Sequence, residues 1–115
     1  MHSPMQINFE ELSEFQKDFK RLSKKYPSLE SDLELRKTVL ECFPTGRGAD
    51  VDQIPSLKIT SKIYKARIDC KSLKRDSLRL IYCYDEVASM ITFIEIYFKG
   101  EQQLENRERI FKNFK

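Results

Sequence analysis

A chain of 115 residues, 40% of them hydrophobic, has material for one modest core, so residues 1–115 are expected to form a single domain. No run approaches the ~18 apolar residues of a membrane span, and "MHSPMQINFE" lacks the apolar stretch and small-residue cleavage site of a secretory leader, so a cytoplasmic protein is expected. Three cysteines without a CxxC pair and a lone histidine at His2 argue against a disulfide framework and against a metal centre.

In chain order, "MQINF" is a candidate short first strand. From Phe9 the apolar residues Phe9, Leu12, Phe15, Phe19, Leu22 and Tyr26 recur every three or four positions, which predicts one buried stripe of a helix. Pro27 stops that helix and is tolerated in the first turn of the next. Leu29, Leu33, Leu40 and Phe43 mark a second stripe, ended by Pro44 and "TGRG", and the two helices are expected to pair as a hairpin. Residues 44–61, with Pro44, Gly46, Gly48 and Pro55, read as a connecting loop. The periodicity then changes to alternation: "KIYKARIDC", "SLRLIYCY" and "MITFIEIYF" are strand-like and joined by connections short enough for an antiparallel meander. Beyond Gly100, "EQQLENRERIFKNF" has helical composition, with Leu104, Ile110, Phe111 and Phe114 available for packing. The expected class is α+β: a small antiparallel sheet of three strands, with a possible N-terminal fourth, packed against a helix hairpin and followed by a C-terminal helix.

Charge is unevenly placed along this frame. From Lys58 to Arg79 the bases are Lys58, Lys62, Lys65, Arg67, Lys71, Lys74, Arg75 and Arg79, against only Asp69 and Asp76. Such a cluster is the footprint of a phosphate-rich partner. In "IYKARIDC", Tyr64, Ala66, Ile68 and Cys70 share one face of a strand while Lys65 and Arg67 share the other, about 7 Å apart. Alternation in the next two segments leaves Arg79 opposite Leu78, Leu80, Tyr82 and Tyr84, and sets Phe93, Glu95, Tyr97 and Lys99 against Thr92, Ile94, Ile96 and Phe98. A meander thus gathers Lys65, Arg67, Arg79, Tyr97 and Lys99 on one solvated face, away from the helices. No histidine is available for a nucleophilic triad, no phosphate-binding glycine loop is present, and the cysteines read as packed hydrophobes.

Together, "FKRLSKKYPSLESDL", "IYKARI", "LRLIYCYD" and "ITFIEIYFKGE" in this order resemble the RelE/ParE superfamily of bacterial type II toxins, over the chain from about Phe9 to Ile110. The nearest likeness is to RelE-like and HigB-like mRNA endoribonucleases. The resemblance implies a RelE-like fold, cleavage of messenger RNA in the ribosomal A site, a cognate antitoxin as partner, and no cofactor, metal or membrane. It maps the basic residues of RelE onto Lys65, Arg67, Arg79 and Lys99. RelE has a tyrosine on its last helix, and some relatives a late histidine, where this chain has Phe111 and Phe114; Tyr97 is the candidate replacement, as proton donor or base-stacking ring. The superfamily also includes ParE-like members that poison gyrase by binding alone, and a degenerate RNA-binding member is a further alternative.

Attack of a ribose 2'-hydroxyl on its own 3'-phosphate builds negative charge on the phosphoryl oxygens and on the departing 5'-oxygen, which fixed cations stabilise. The implied roles are Arg67 and Arg79 on the phosphate, Lys65 as general base or charge stabiliser, and Lys99 at the leaving group. Lys62, Lys71, Lys74 and Arg75 are the expected sequence-independent contacts to RNA phosphates.

Overall fold

The structure, a computed structural model, describes residues 6–55, 57–73 and 77–114. Its elements are β1 (Asn8–Glu11), α1 (Ser13–Lys25), α2 (Leu29–Cys42), β2 (Val51–Gln53), β3 (Ile63–Asp69), β4 (Ser77–Asp85), β5 (Met90–Phe98) and α3 (Arg107–Asn113). The five strands form one sheet in the order β1-β5-β4-β3-β2. Strands β2 to β5 are the expected antiparallel meander with one added edge strand, whereas β1 lies parallel to β5 and makes the sheet mixed.

The first helix is shorter than its stripe. Phe9 aligns with Ile91 in the β1–β5 ladder, the Leu12 N–H donates to the Phe93 carbonyl (3.0 Å), and helix begins only at Ser13. Phe9 still reaches the core, its ring 5.6 Å from that of Phe93. Phe15 and Leu22 are fully buried, and Lys24 and Lys25 in the last turn suit the negative end of the helix dipole. In α2, Leu29, Leu33 and Leu40 are buried as expected, but Phe43 is exposed: it lies just past the helix end, with Arg47 stacked over its ring. The expected loop over 44–61 contains β2, where Val51 pairs with Ala66. The turn before it requires Gly46, whose φ of +91° suits glycine and whose Cβ position is filled by the Val51 side chain.

Alternation along β5 is broken by a bulge. Ile81 pairs with Glu95 but its neighbour Tyr82 pairs with Phe93, so Ile94 is an inserted residue. Ile91, Phe93, Ile96 and Phe98 consequently pack on one side with Tyr64, Ala66, Ile68, Leu78, Leu80 and Tyr82, beneath α1 and α2. Ile94 turns to the other side.

That other side is not the solvated face expected from alternation. Ile54, Leu57, Ile63, Ile81, Cys83, Ile94, Tyr97 and Ile110 form a second buried cluster there, under α3 and the segment after β2. The terminal helix is also shorter than expected, because residues 101–106 run irregularly: buried Glu95 accepts hydrogen bonds from Gln102 Nε2 (2.7 Å) and the Asn106 N–H (2.8 Å). Asn106 then caps α3 by accepting from the Arg109 N–H. Of the four apolar residues noted in this region, Ile110 is buried and Phe114 packs beside it, while Leu104 and Phe111 are exposed.

Candidate functional site

Strand register builds the site. Arg67 of β3 lies directly opposite Arg79 of β4, which lies opposite Tyr97 of β5; in the next row Lys65 aligns with Ile81 and Ile81 with Glu95. Arg67, Arg79, Tyr97 and Lys65 therefore come together on the α3 side of the sheet. Lys99 follows the end of β5 and is exposed.

The four sheet positions differ in what they have to offer. Arg67 is exposed, and no hydrogen bond or ion pair among the described residues engages its guanidinium. Its carbonyl accepts from Arg36 Nη2 (2.6 Å), while Arg36 Nη1 donates to Asp50 (2.9 Å) and so ties β3 to α2. Arg79 is half-buried and donates to the Ser77 hydroxyl. Lys65 is more enclosed: its ammonium lies 2.8 Å from Glu105 Oε1, with side-chain exposures of 27% for the lysine and 2% for the glutamate. Arg107 Nε is 3.1 Å from the other oxygen of the same carboxylate.

These contacts set the protonation states. Burial by itself would lower the Lys65 pKa, but the Glu105 carboxylate and the Tyr97 hydroxyl outweigh it and hold Lys65 above the ordinary lysine value. Burial opposes ionisation of Glu105, yet the ion pair with Lys65, its own backbone N–H and the hydrogen bond from Arg107 bring its carboxyl below the usual range. Burial raises the Tyr97 phenol, only partly offset by Lys65. Two expected roles are affected by this arrangement. Pairing with Glu105 holds the Lys65 proton more tightly, which favours a charge-stabilising role over that of a general base. The Tyr97 ring is buried in this arrangement, away from any RNA base, and its raised phenol is a weaker acid whose hydroxyl beside Lys65 remains suited to hydrogen bonding.

Around this row the outlying cations are unevenly placed. Lys71 is exposed on the loop after β3, and its backbone N–H donates to buried Asp32 (3.1 Å), which also accepts from the Ser28 hydroxyl (2.7 Å). Ser28 and Ser72 complete the clamp between this loop and the start of α2. Lys62 is exposed near the other end of β3, apart from the site. Lys74 and Arg75 lie outside the described residues. At that far end a cavity of about 620 Å³ is lined by Tyr64, Tyr84, Cys83 and Phe114, and its acids Glu10, Asp85 and Glu86 make it a poor place for phosphate.

Sequence reasoning missed Glu105, Arg107, Ser77 and the Asp32 clamp. A glutamate within "LENRER" carries no periodic signal that would set it on a strand 40 residues earlier in the chain. Among the described residues no helix is long and apolar enough to cross a membrane, and no group of three His, Cys, Asp or Glu is placed to hold a metal ion.

The sequence matches no protein-family model and no curated protein. Among solved structures, a chain of the crystal structure of the archaeal RelE–RelB complex from Pyrococcus horikoshii OT3 matches with a TM-score of 0.61 and 20% identity, over 84% of this chain and 98% of that one. At that identity the likeness is one of architecture: the chain has the RelE fold.

Proposed function

We propose that this chain is the toxin of a type II toxin–antitoxin pair, an endoribonuclease that cuts messenger RNA in the ribosomal A site and leaves a 2',3'-cyclic phosphate and a 5'-hydroxyl. The observation that carries the reading is the Arg67–Arg79–Tyr97 row on a RelE fold: two guanidiniums opposite one another beside a phenol. Placing like charges directly across a ladder is unfavourable in an empty site. It becomes favourable when a phosphate lies between them, since each guanidinium can hold two oxygens.

In this reading Arg67 and Arg79 hold the scissile phosphate and stabilise its developing charge. Tyr97 supplies a hydroxyl, Lys65 a point charge, and Lys99 a charge for the departing 5'-oxygen. Lys71, with Lys74 and Arg75, contacts flanking phosphates. The ribosome and its message are the substrate setting, the cytoplasm the compartment, and an antitoxin the neutralising partner. The matched archaeal structure is itself a complex of RelE with RelB, which supports a protein partner for this chain.

A second reading rests on Lys65 being neutralised and Tyr97 buried, which favours a ParE-like toxin that poisons gyrase by binding. Induced expression in a bacterial host, with translation and plasmid supercoiling followed together, separates the two. The nuclease reading expects translation to stop first and primer extension to find cuts within translated codons. Loss of supercoiling with intact messages would overturn it.

A further inference from the structure

The anion beside Lys65 comes from the chain itself. Glu105 is almost fully buried, and its carboxylate spans Lys65 Nζ at 2.8 Å and Arg107 Nε at 3.1 Å. Its position is fixed from both sides. Before it, Glu95 holds Gln102; after it, Glu95 holds the Asn106 N–H. Further on, Arg109 reaches Asp18 (2.7 Å), Glu14 (3.5 Å) and the Ile94 carbonyl (2.9 Å), and Ile110 is buried in the second cluster.

We infer that Glu105 occupies the place of a substrate phosphate, so that residues 101–114 form an autoinhibitory strap which must release before a phosphate can reach Lys65 and Tyr97. The inference rests on the nuclease reading for its biological meaning, but its geometry stands separately. A carboxylate and a phosphate cannot share one ammonium without placing two anions within a few ångströms in a partly dry site, where their repulsion is strong.

The strap is built to release. A helix of seven residues has no stability of its own, so α3 is helical only while docked. Its docking depends on Ile110, Phe114 and a few polar contacts, and so it opens locally with the rest of the sheet intact. Release also frees Arg107, whose side chain is already 44% exposed, to join Lys65 at the phosphate.

The test uses the full chain and inorganic phosphate, followed by NMR at the Tyr97 ring. Glu105→Gln keeps the shape and removes the charge; it should bind phosphate at least tenfold more tightly than the unmodified chain, and Lys65→Met in the same background should abolish the gain. Arg109→Gln loosens the strap while leaving Glu105 in place, so it should also tighten phosphate binding and speed amide exchange over residues 101–114. Equal phosphate affinity in the unmodified chain, Glu105→Gln and Arg109→Gln overturns the strap, as does a gain that survives loss of Lys65. Message cutting is read in parallel: a tenfold phosphate gain without any cutting leaves the strap standing and removes the nuclease reading, whereas cutting with unchanged phosphate affinity does the reverse.

Discussion

Replacing Arg79 by alanine should separate function from stability, because its contributions to folding nearly cancel. The guanidinium donates to the Ser77 hydroxyl, an interaction worth about 1 kcal/mol net. Against that, Arg79 sits directly across the ladder from Arg67, and like charges so placed cost about 0.2–1 kcal/mol. The difference is under about 1 kcal/mol, which for a chain of this size moves the melting temperature by no more than about 4–8 °C. Loss of a fixed donor to a phosphoryl oxygen costs far more in the transition state, about 3 kcal/mol, or more than a hundredfold in rate. The expected result is a purified variant with a circular-dichroism melt close to that of the parent, no growth arrest on induction, and message cuts at or below about one-hundredth of the parent level by primer extension. A melting point lowered by more than about 10 °C with cutting retained would refute the reasoning, since it would make Arg79 a structural residue.

Neutralising Lys71, Lys74 and Arg75 to glutamine should weaken ribosome or RNA binding and reduce the slope of log affinity against log salt by roughly two, at ~0.7 per phosphate contact on single strands; an unchanged slope in a salt titration counts against the loop. The docking of α3 should be pH-dependent with a defined sign. The Glu105 carboxyl is held below its ordinary range, so its contribution is complete above that range and is lost as pH falls through the lowered value, while raised Lys65 keeps its charge beyond the ordinary lysine range. Amide exchange over residues 101–114, corrected for intrinsic rates, should therefore show release below about pH 4 and none between about pH 6 and 9; release on the alkaline side alone contradicts the pairing. Thiol labelling at neutral pH should modify exposed Cys42 and spare buried Cys70 and Cys83, the latter pushed up to about 11 by burial and then by Asp85. Rapid modification of all three in the native state would show that the second cluster is not packed as described.

Local signals explain what could be read from the chain and what could not. Strands β3, β4 and β5 were legible because each is seven to nine residues long and rich in Ile, Tyr and Phe or Leu, and α2 because its leucines repeat at helical spacing. The start of α1 was misread for a definite reason: Phe9 and Leu12 continue the spacing of Phe15 and Phe19 although Phe9 belongs to a strand. Only its pairing with Ile91, 82 residues away, decides the matter, and periodicity does not register such a pairing. Strand β2 is three residues long, too short for alternation to show against the prolines and glycines around it.

The cationic row was legible because it needs only strand period and strand order, and both come from short connections. Its neutralisation was not, because it depends on Glu105 in the irregular segment 101–106, which has no period to read. With Ile94 extra, Phe93 lies under the helices while Ile94 joins Glu95 and Tyr97 on the opposite side. Glu95 is then buried where it can hold the Asn106 N–H, and that anchor sets the preceding carboxylate of Glu105 against Lys65. Strict alternation places the same glutamate beside the cations as one more surface charge. The folded chain instead buries it and makes it the fixed point from which the terminal segment crosses the site, so the path of residues 101–106 sets a carboxylate against Lys65.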